Sequence, residues 1–375
     1  MISIEVVDTS SSKQVNEFIM LPFRLYDKTP QWVPLIRQDA RTMMNRDKHP
    51  FFEHSEAEFF VARDGQEVVG TLAVLENKPY NKVHEKKSAN FYLFESVDDI
   101  AVATALFERA YEWAREHGLN RIVGPKGFSI FDGYGLQVEG FEHRRMMFMM
   151  NYNHPYYVSI IESLGFTKEV DFVSKLVTVD RFRMPEKVHE VARRLQQRGS
   201  FEVKNFTNKR ELIKWGHPIG RLYNDTFMEN WEYTPLTERE VQFAVDNVLM
   251  MADPRLIKLI LHKDEPVGFL FAFPDVSAAI KRHKGRLTPW ALADLLIEMR
   301  RTKMVAFNGG GVLPKFHGRG GNALLYTEME KTIHQYNYDQ GEFTQVAESA
   351  VQMRKDIATL GGIEYKNHRV YQRDI

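Results

Sequence analysis

Between Gly309 and Lys331 the chain reads GGGVLPKFHGRGGNALLYTEMEK, with glycine at 309, 310, 311, 318, 320 and 321 and Lys315, His317 and Arg319 set among them. An apolar, strand-like run enters this loop, and a helix-like run with Leu325, Met329 and Ile333 on one face leaves it. A strand that opens through glycines into a helix aims several free backbone N–H groups at one spot. The helix dipole adds partial positive charge there. Gly318, Gly320 and Gly321 have no Cβ to block close approach or to forbid a positive φ. With basic side chains beside them, the chemistry this predicts is the cradling of a diphosphate. No Gly-Lys-Ser/Thr closes the loop as a Walker motif requires, and the glycines stand too close together for Gly-x-Gly-x-x-Gly.

The elements that must position this loop recur along the chain. FFVARDGQEVVGTLAVLE, from Phe59, reads as two strands turning at Arg63-Asp64-Gly65-Gln66, followed by the strand NFYLFES and the helix DDIAVATALFERAYEWAREHG. In that helix Leu106, Ala110, Trp113 and Ala114 share a face, and Gly118 stands at its stop. The strand RIVGP, the helix HPYYVSIIESLGF and the strand DFVSKLVTV complete the first half, while RRMMFMMNY reads as a buried strand. The second half repeats the order: the hairpin LIKLILHKDEPVGFLFAFPD, an inserted, partly helical stretch from Val276 to Arg301, then MVAFNGGGV, the glycine loop and its helix. EFTQVAES, VQMRKDIATLGG and YKNHRVYQRDI finish it, so each half predicts strand, strand, strand, helix, strand, helix, strand. A helix over MPEKVHEVARRLQQRG joins them, with the boundary at about residue 182.

Composition bounds the possibilities. A chain of 375 residues predicts two domains, and 43% apolar residues predict full cores. With 50 basic and 50 acidic residues, no blanket electrostatic grip on nucleic acid is expected. The absence of cysteine excludes disulfides, thiolate metal sites and a cysteine nucleophile, and the thirteen histidines form no metal-ligand spacing. No apolar run approaches the roughly 20 residues of a membrane span, and the expectation is a cytoplasmic protein.

At the glycine loop the sequence resembles the GNAT N-acetyltransferase superfamily, in which a strand, a loop of the type Arg/Gln-x-x-Gly-x-Gly/Ala and a helix N-terminus hold the pyrophosphate of coenzyme A. Here His317 stands for the usual Arg or Gln and Asn322 for the usual Gly or Ala, and the backbone donors survive both changes. The resemblance implies that His317, Gly318, Arg319, Gly320, Gly321 and Asn322 hold the pyrophosphate, and that Val312 and Leu313 meet the pantetheine arm. The implied co-substrate is acetyl-CoA or another acyl-CoA, with no metal. Most of both halves also resembles a bacterial family of tandem GNAT proteins, through YDKTPQWVP, HPFFEHSEAEFFVA, GPKGFSIFDGYGLQVEGF, NHPYYVSIIESLGFTKEVD and NDTFMENWEYTPLTEREV. The implied fold is α/β (α+β): two GNAT-like domains, each a mixed, mostly antiparallel sheet flanked by helices. Residues 183–375 are expected to carry the acyltransferase site. Residues 1–182 are expected to be a degenerate domain without a coenzyme site, because Glu95, Asp98 and Asp99 replace glycines and bases at its matching helix start. Such carboxylates cap a helix, by about 0.3–1 kcal/mol each, and repel a pyrophosphate.

Acyl transfer from a thioester to an amine needs a route for the ammonium proton, a donor at the thioester oxygen and a proton for the leaving thiolate. The tyrosine that supplies that proton in many GNAT enzymes falls near Ile357 here, and the usual asparagine before its helix falls at Ala350. Substitutes are Glu348, as a proton relay or a solvated strand-end carboxylate, and Tyr326, Tyr365 and Tyr371, as acids or as core aromatics. Asn308 is placed to orient an acceptor. Trp231 and Tyr233 either line an acceptor pocket or staple the helix capped by Thr237. The expected function is N-acyl transfer from acyl-CoA to a small-molecule amine, amino acid or peptide. The alternatives are a non-catalytic acyl-CoA sensor and a Fem-type aminoacyl transferase drawing on charged tRNA. The acceptor and the oligomeric state are not legible in the residues.

Overall fold

The computed structural model describes residues 1–129, 131–146, 150–228 and 232–375, with the side chain of Leu249 also left undescribed. The chain forms two compact units. Unit 1 comprises Met1–Val173, Ser277–Leu296 and Lys366–Ile375; unit 2 comprises Ser174–Val276 and Ile297–Tyr365.

The chain opens with β1 (Ile2–Val6), α1 (Ser12–Leu25) and α2 (Arg37–Met43), then the hairpin β2 (Glu56–Asp64) and β3 (Glu67–Glu76). Next come α3 (Lys78–Val83), β4 (Ser88–Ser96), α4 (Ile100–Glu116), β5 (Arg121–Gly124), β6 (Leu136–Glu139), α5 (Tyr156–Ser163) and β7 (Thr167–Thr178). In unit 1 β1, β2, β3 and β4 pair antiparallel in that order, and β5 joins β4 in parallel. Strand alternation sends Phe60, Leu72, Val74 and Phe91 under α4, against Leu106, Phe107 and Ala110. Their neighbours Phe59, Ala73, Leu75 and Tyr92 face the other way, toward Val15, Phe18 and Ile19 of α1. Both faces are covered, so FFVA and TLAVL read as continuous apolar runs rather than alternating ones. The predicted methionine strand differs: Met147, Phe148 and Met149 lie outside the described residues, and Met146 and Met150 are buried in irregular backbone.

After β7 come α6 (Glu186–Arg198), β8 (Glu202–Asn205), α7 (Lys209–Lys214), α8 (Gly216–Phe227), α9 (Glu238–Met251), β9 (Ile257–His262) and β10 (Glu265–Pro274). The inserted stretch forms α10 (Ser277–Arg282) and α11 (Pro289–Arg301). The chain closes with β11 (Met304–Val312), α12 (Gly321–Gln335), β12 (Gln340–Ala347), α13 (Val351–Thr359) and β13 (Ile363–Asp374). In unit 2 β8, β9, β10 and β11 pair antiparallel in sequence, and β12 joins β11 in parallel. The β9–β10 turn puts Lys263 and Asp264 at φ 52° and 64°, the left-handed pair of a tight hairpin. The predicted mixed, mostly antiparallel sheets flanked by helices are therefore present in both units.

The last strand does not simply close the second half. From Lys366 onward β13 belongs to unit 1, where Tyr371 pairs with Gly124 of β5 and His368 with Gln137 of β6. Val370, Tyr371 and His368 are all buried, so this segment supplies core to unit 1 as well as a hydrogen-bonded edge.

Candidate active site

Two features of β11 build the site in unit 2. The strand pairs with β12 only from Met304↔Gln340 to Phe307↔Phe343, and then follows β10 through Gly309–Val312 while β12 runs on to Ala347. The parting strands leave a wedge between them. At the point of parting the β10 register shifts, with Phe271 opposite Gly309 and Ala272 opposite Phe307, so Asn308 is the extra residue of a bulge. A bulge re-aims a side chain and ends pairing. Asn308 Oδ1 is buried there without a hydrogen-bond partner among the described residues, an open acceptor beside the wedge.

The glycines after the bulge are small for stated reasons. A Cβ on Gly311 would lie 2.5 Å from Thr226 Cγ2, and one on Gly310 would lie 2.9 Å from Leu270 Cδ1. Beside Gly309, Tyr223 and Phe269 stack with centroids 5.6 Å apart. Thr226 Oγ1 is another buried oxygen with no partner among the described residues. Tyr223 and Thr226 of α8 thus stand against the bulge, a role that sequence reading missed. The signal available was their shared spacing on an amphipathic helix, i and i+3.

The loop itself has the geometry of an anion cradle. Gly318 and Gly320 take φ of +71° and +85°, and Gly320 is the N-cap of the 15-residue helix α12. The amides of Gly320, Gly321 and Asn322 open that helix, where no intrahelical acceptor is available. Lys315, His317 and Arg319 are exposed, and the two cations flank the Phe316 ring at 5.4 and 5.2 Å. His317 folds back: its Nε2–H donates to Val312 O at 2.7 Å, so this ring braces the loop against the strand end. Leu313 N–H donates to Val267 O, so it is already engaged by β10. These residues suit a diphosphate: the first amides of α12 have no intrahelical acceptor and Lys315 and Arg319 stand exposed nearby. Gly318 is open, and Gly320 and Gly321 are small because they pack against Val191, Leu195, Ile260 and Val312.

The other candidates separate. Tyr326, on α12, is half-buried, with burial pushing its phenol up to about 12, and it lines an apolar chamber of about 710 Å³ including its mouth. Val305, Phe307, Met329, Phe343 and Leu360 share that chamber. Glu348 follows β12 directly and is half-buried. Tyr233 is buried, and its hydroxyl donates to Asn224 Oδ1 at 2.7 Å, while Thr237 makes the capping box of α9. Trp231 lies outside the described residues. Tyr371 belongs to unit 1, whereas the loop belongs to unit 2, and its hydroxyl donates to Glu162 at 3.1 Å. Ile357 is buried on α13 and Ala350 is its uncapped N-terminal residue. No group of three or more metal-ligating side chains occurs among the described residues.

The matching helix start in unit 1 is built differently. Asp99 caps α4 by accepting from Ala101 N–H at 2.8 Å. Ser96 N–H donates to Tyr157, and Val97 N–H donates to Val69 O. Those donors are spent. Glu95 is not at the helix start, as its place in the sequence suggested. At Leu93, with φ 50°, the register with β3 shifts, so Phe91 and Phe94 share one core and Glu95 turns inward to the chamber that Tyr92 also lines. There its Oε2 accepts from Tyr26 at 2.7 Å and from Tyr157 at 2.8 Å, and burial pushes its carboxyl up to about 7 against those bonds. It lines a chamber of about 880 Å³ with Arg145, Trp32, Tyr92 and Phe23. A carboxyl that titrates near neutrality can exchange a proton with a ligand in such a chamber. The signal in the sequence was a lone glutamate on an otherwise aromatic strand, NFYLFES.

A raised carboxyl pKa sets a sign for stability. The folded form keeps a proton that the unfolded chain releases above about 4.5, so stability falls as pH rises from there to about 7 and then levels. Glu95→Gln keeps an acceptor for both phenols and removes the titration. Urea unfolding of the variant should gain on the native chain by roughly 3 kcal/mol across that window. A pH-independent difference would refute the placement.

Residues 23–124 match the family model for the acetyltransferase (GNAT) family. That stretch contains Glu95 and part of its chamber's lining, whereas the glycine loop lies outside it. The chain is similar to the bacterial ceramide synthase of Caulobacter vibrioides, 27% identical over 99% of this chain and 97% of that protein. It is similar also to protein YghO of Escherichia coli, 23% identical over 97% and 94%. Among solved structures it resembles a tandem GNAT protein from the clavulanic acid biosynthesis pathway, covering 100% of this chain and 98% of that one, with a TM-score of 0.57 at 13% identity.

Proposed function

We propose that this tandem GNAT-type protein is an N-acyltransferase that moves an acyl group from an acyl-CoA thioester to an amine. The observation that carries the reading is the cradle of unit 2: two left-handed glycines at the start of α12, directly beyond a strand that parts from its neighbour at a bulge. In this reading residues 183–375 hold the coenzyme and residues 1–182 do not. Gly318, Arg319, Gly320, Gly321 and Asn322 bind the pyrophosphate, and His317 braces the loop through Val312. The pantetheine arm enters the wedge past Val312 and Leu313.

The reaction joins the amine nitrogen to the acyl carbon, breaks the carbon–sulfur bond, and passes one proton from nitrogen to the departing sulfur. Asn308, at the bulge, orients the acceptor through its free Oδ1. Glu348 takes the ammonium proton through water, and Tyr326 returns one to the thiolate. Tyr233 and Trp231 are proposed for the acceptor side of the same unit.

A ceramide is a long-chain amino alcohol acylated on nitrogen. The relation to a protein of that name, over nearly the whole chain, supports a long-chain amine as acceptor and a fatty acyl-CoA as donor. The apolar chamber under Tyr326 supports an aliphatic substrate too.

Calorimetry with acetyl-CoA and palmitoyl-CoA tests the reading. One saturable site per chain is expected, tighter for the longer donor. Arg319→Glu, at an exposed position, should weaken binding about tenfold or more with unchanged thermal unfolding. Binding that Arg319→Glu leaves untouched would overturn the cradle. Binding without turnover on any long-chain amine would favour the sensor, a reading that the buried Ile357 at the usual acid position supports.

A further inference from the structure

The helix α11 is apolar over more of its surface than the protein covers. Ala291, Leu295 and Met299 are buried beneath it. Trp290, Leu292, Leu296 and Ile297 are exposed by 82%, 41%, 57% and 45%. At about 100° per residue these four, with exposed Ala293, sweep an arc of roughly 160° on the open side. Surface helices of soluble domains carry polar residues on that side, and an exposed apolar stripe headed by tryptophan marks an interaction face.

The helix is firmly mounted. Asp294 accepts from Arg282 at 2.9 and 3.0 Å and from His283 at 3.0 Å, tying α11 to α10. Gly285, between them, is pressed against Leu35: a Cβ there would lie 2.3 Å from Leu35 O, and Arg37 N–H donates to Gly285 O. The apolar stripe is therefore held outward by a braced hairpin.

Charge selects the occupant. Lys284, Arg286, Arg300 and Arg301 are exposed on the same hairpin, while Asp294 is already paired with Arg282. A second copy related by a two-fold axis would bring these cations together. An anionic lipid surface would neutralise them, and lysine and arginine stems can lie along apolar surface with their heads among phosphates. With 13 residues, α11 is too short to cross a hydrocarbon layer of about 30 Å.

We propose that α11 docks on the surface of an anionic phospholipid bilayer, with Trp290, Leu292, Leu296 and Ile297 set into the interface and the arginines among the headgroups. The proposal rests on this helix alone and stands apart from the acyl-transfer reading. The test is co-sedimentation with phosphatidylcholine vesicles carrying roughly one-third phosphatidylglycerol, against pure phosphatidylcholine. Partition onto the anionic vesicles should be about tenfold stronger or more. Trp290→Ser with Leu296→Ser should abolish it at an unchanged melting temperature, and Arg300→Glu with Arg301→Glu should abolish the preference for anionic lipid. Two results would overturn the proposal: a serine variant that binds vesicles like the native chain, or a native chain that ignores both vesicles and forms a dimer that the serine variant breaks.

Discussion

Gly320→Val is expected to lose coenzyme binding at least about 100-fold and to destabilise the fold by roughly 2–5 kcal/mol. Gly320 holds φ at +85°, a conformation that a β-branched residue resists most. It is also packed: its Cβ would lie 2.6 Å from Val191 Cγ1 and 2.9 Å from Leu195 Cδ1, both on α6. Valine must therefore either push α6 away or turn the loop, and turning the loop swings the amides of Gly321 and Asn322 off the position proposed for the pyrophosphate. Gly318→Ala separates strain from crowding. Its φ is +71°, but a Cβ there meets nothing within 4 Å. That variant should lose only about 1 kcal/mol of stability and less than tenfold in binding. Calorimetry and urea unfolding on both proteins decide the matter. Equal effects at the two positions would show that packing against α6 does not hold the cradle.

Acidification should cost the native chain roughly 3 kcal/mol by pH ~4 through His368 alone. This side chain, on β13, is wholly buried, and its Nε2–H donates to Asn151 O at 3.0 Å. Its Nδ1 is buried with no partner among the described residues. The neutral ring thus has its one N–H bonded, whereas a second proton would sit on Nδ1 with no acceptor, and burial pushes the imidazole down to about 3. The unfolded chain takes up that proton below about 6.5, so the stability is fully present above that value and drains away as pH falls toward 3. Glu95 at about 7 and Asp39 and Asp132 at about 6 act oppositely in the same window, so the bare native curve mixes both signs. The clean observable is the difference from His368→Gln, which keeps a donor for Asn151. The native chain's advantage should shrink steadily below pH ~6.5. A flat difference would mean that His368 is not buried neutral.

Much of the architecture was legible because it depends on short-range pattern. Two periods, two and 3.6, separated strands from helices in both halves. Gly65, Gly118 and Gly165 marked their turns, each at a positive φ in the fold. The tandem organisation was legible from the element order repeated in the two halves, and the glycine loop from Gly318 to Asn322 from residues adjacent in the chain. The bulge at Asn308 was less legible. Asn308 could be named as an acceptor-orienting residue, but not that it is the residue at which β11 leaves β12, because a register shift depends on the partner strand.

By itself the sequence determined most of the strands and helices, pointed to the loop proposed as an anion cradle, and showed that the first half's matching helix carries its own acidic cap. Tertiary structure alone decided three things. It turned Glu95 inward onto Tyr26 and Tyr157, because the register shift at Leu93 resets the alternation of β4, and such a shift depends on the partner strand. It brought Tyr223 and Thr226 against the bulge from a helix some 85 residues earlier. It also assigned the end of β13, with Tyr371 and His368, to unit 1. An apolar strand buries equally well against any complementary edge, and which edge it meets is a property of the folded chain rather than of its own residues.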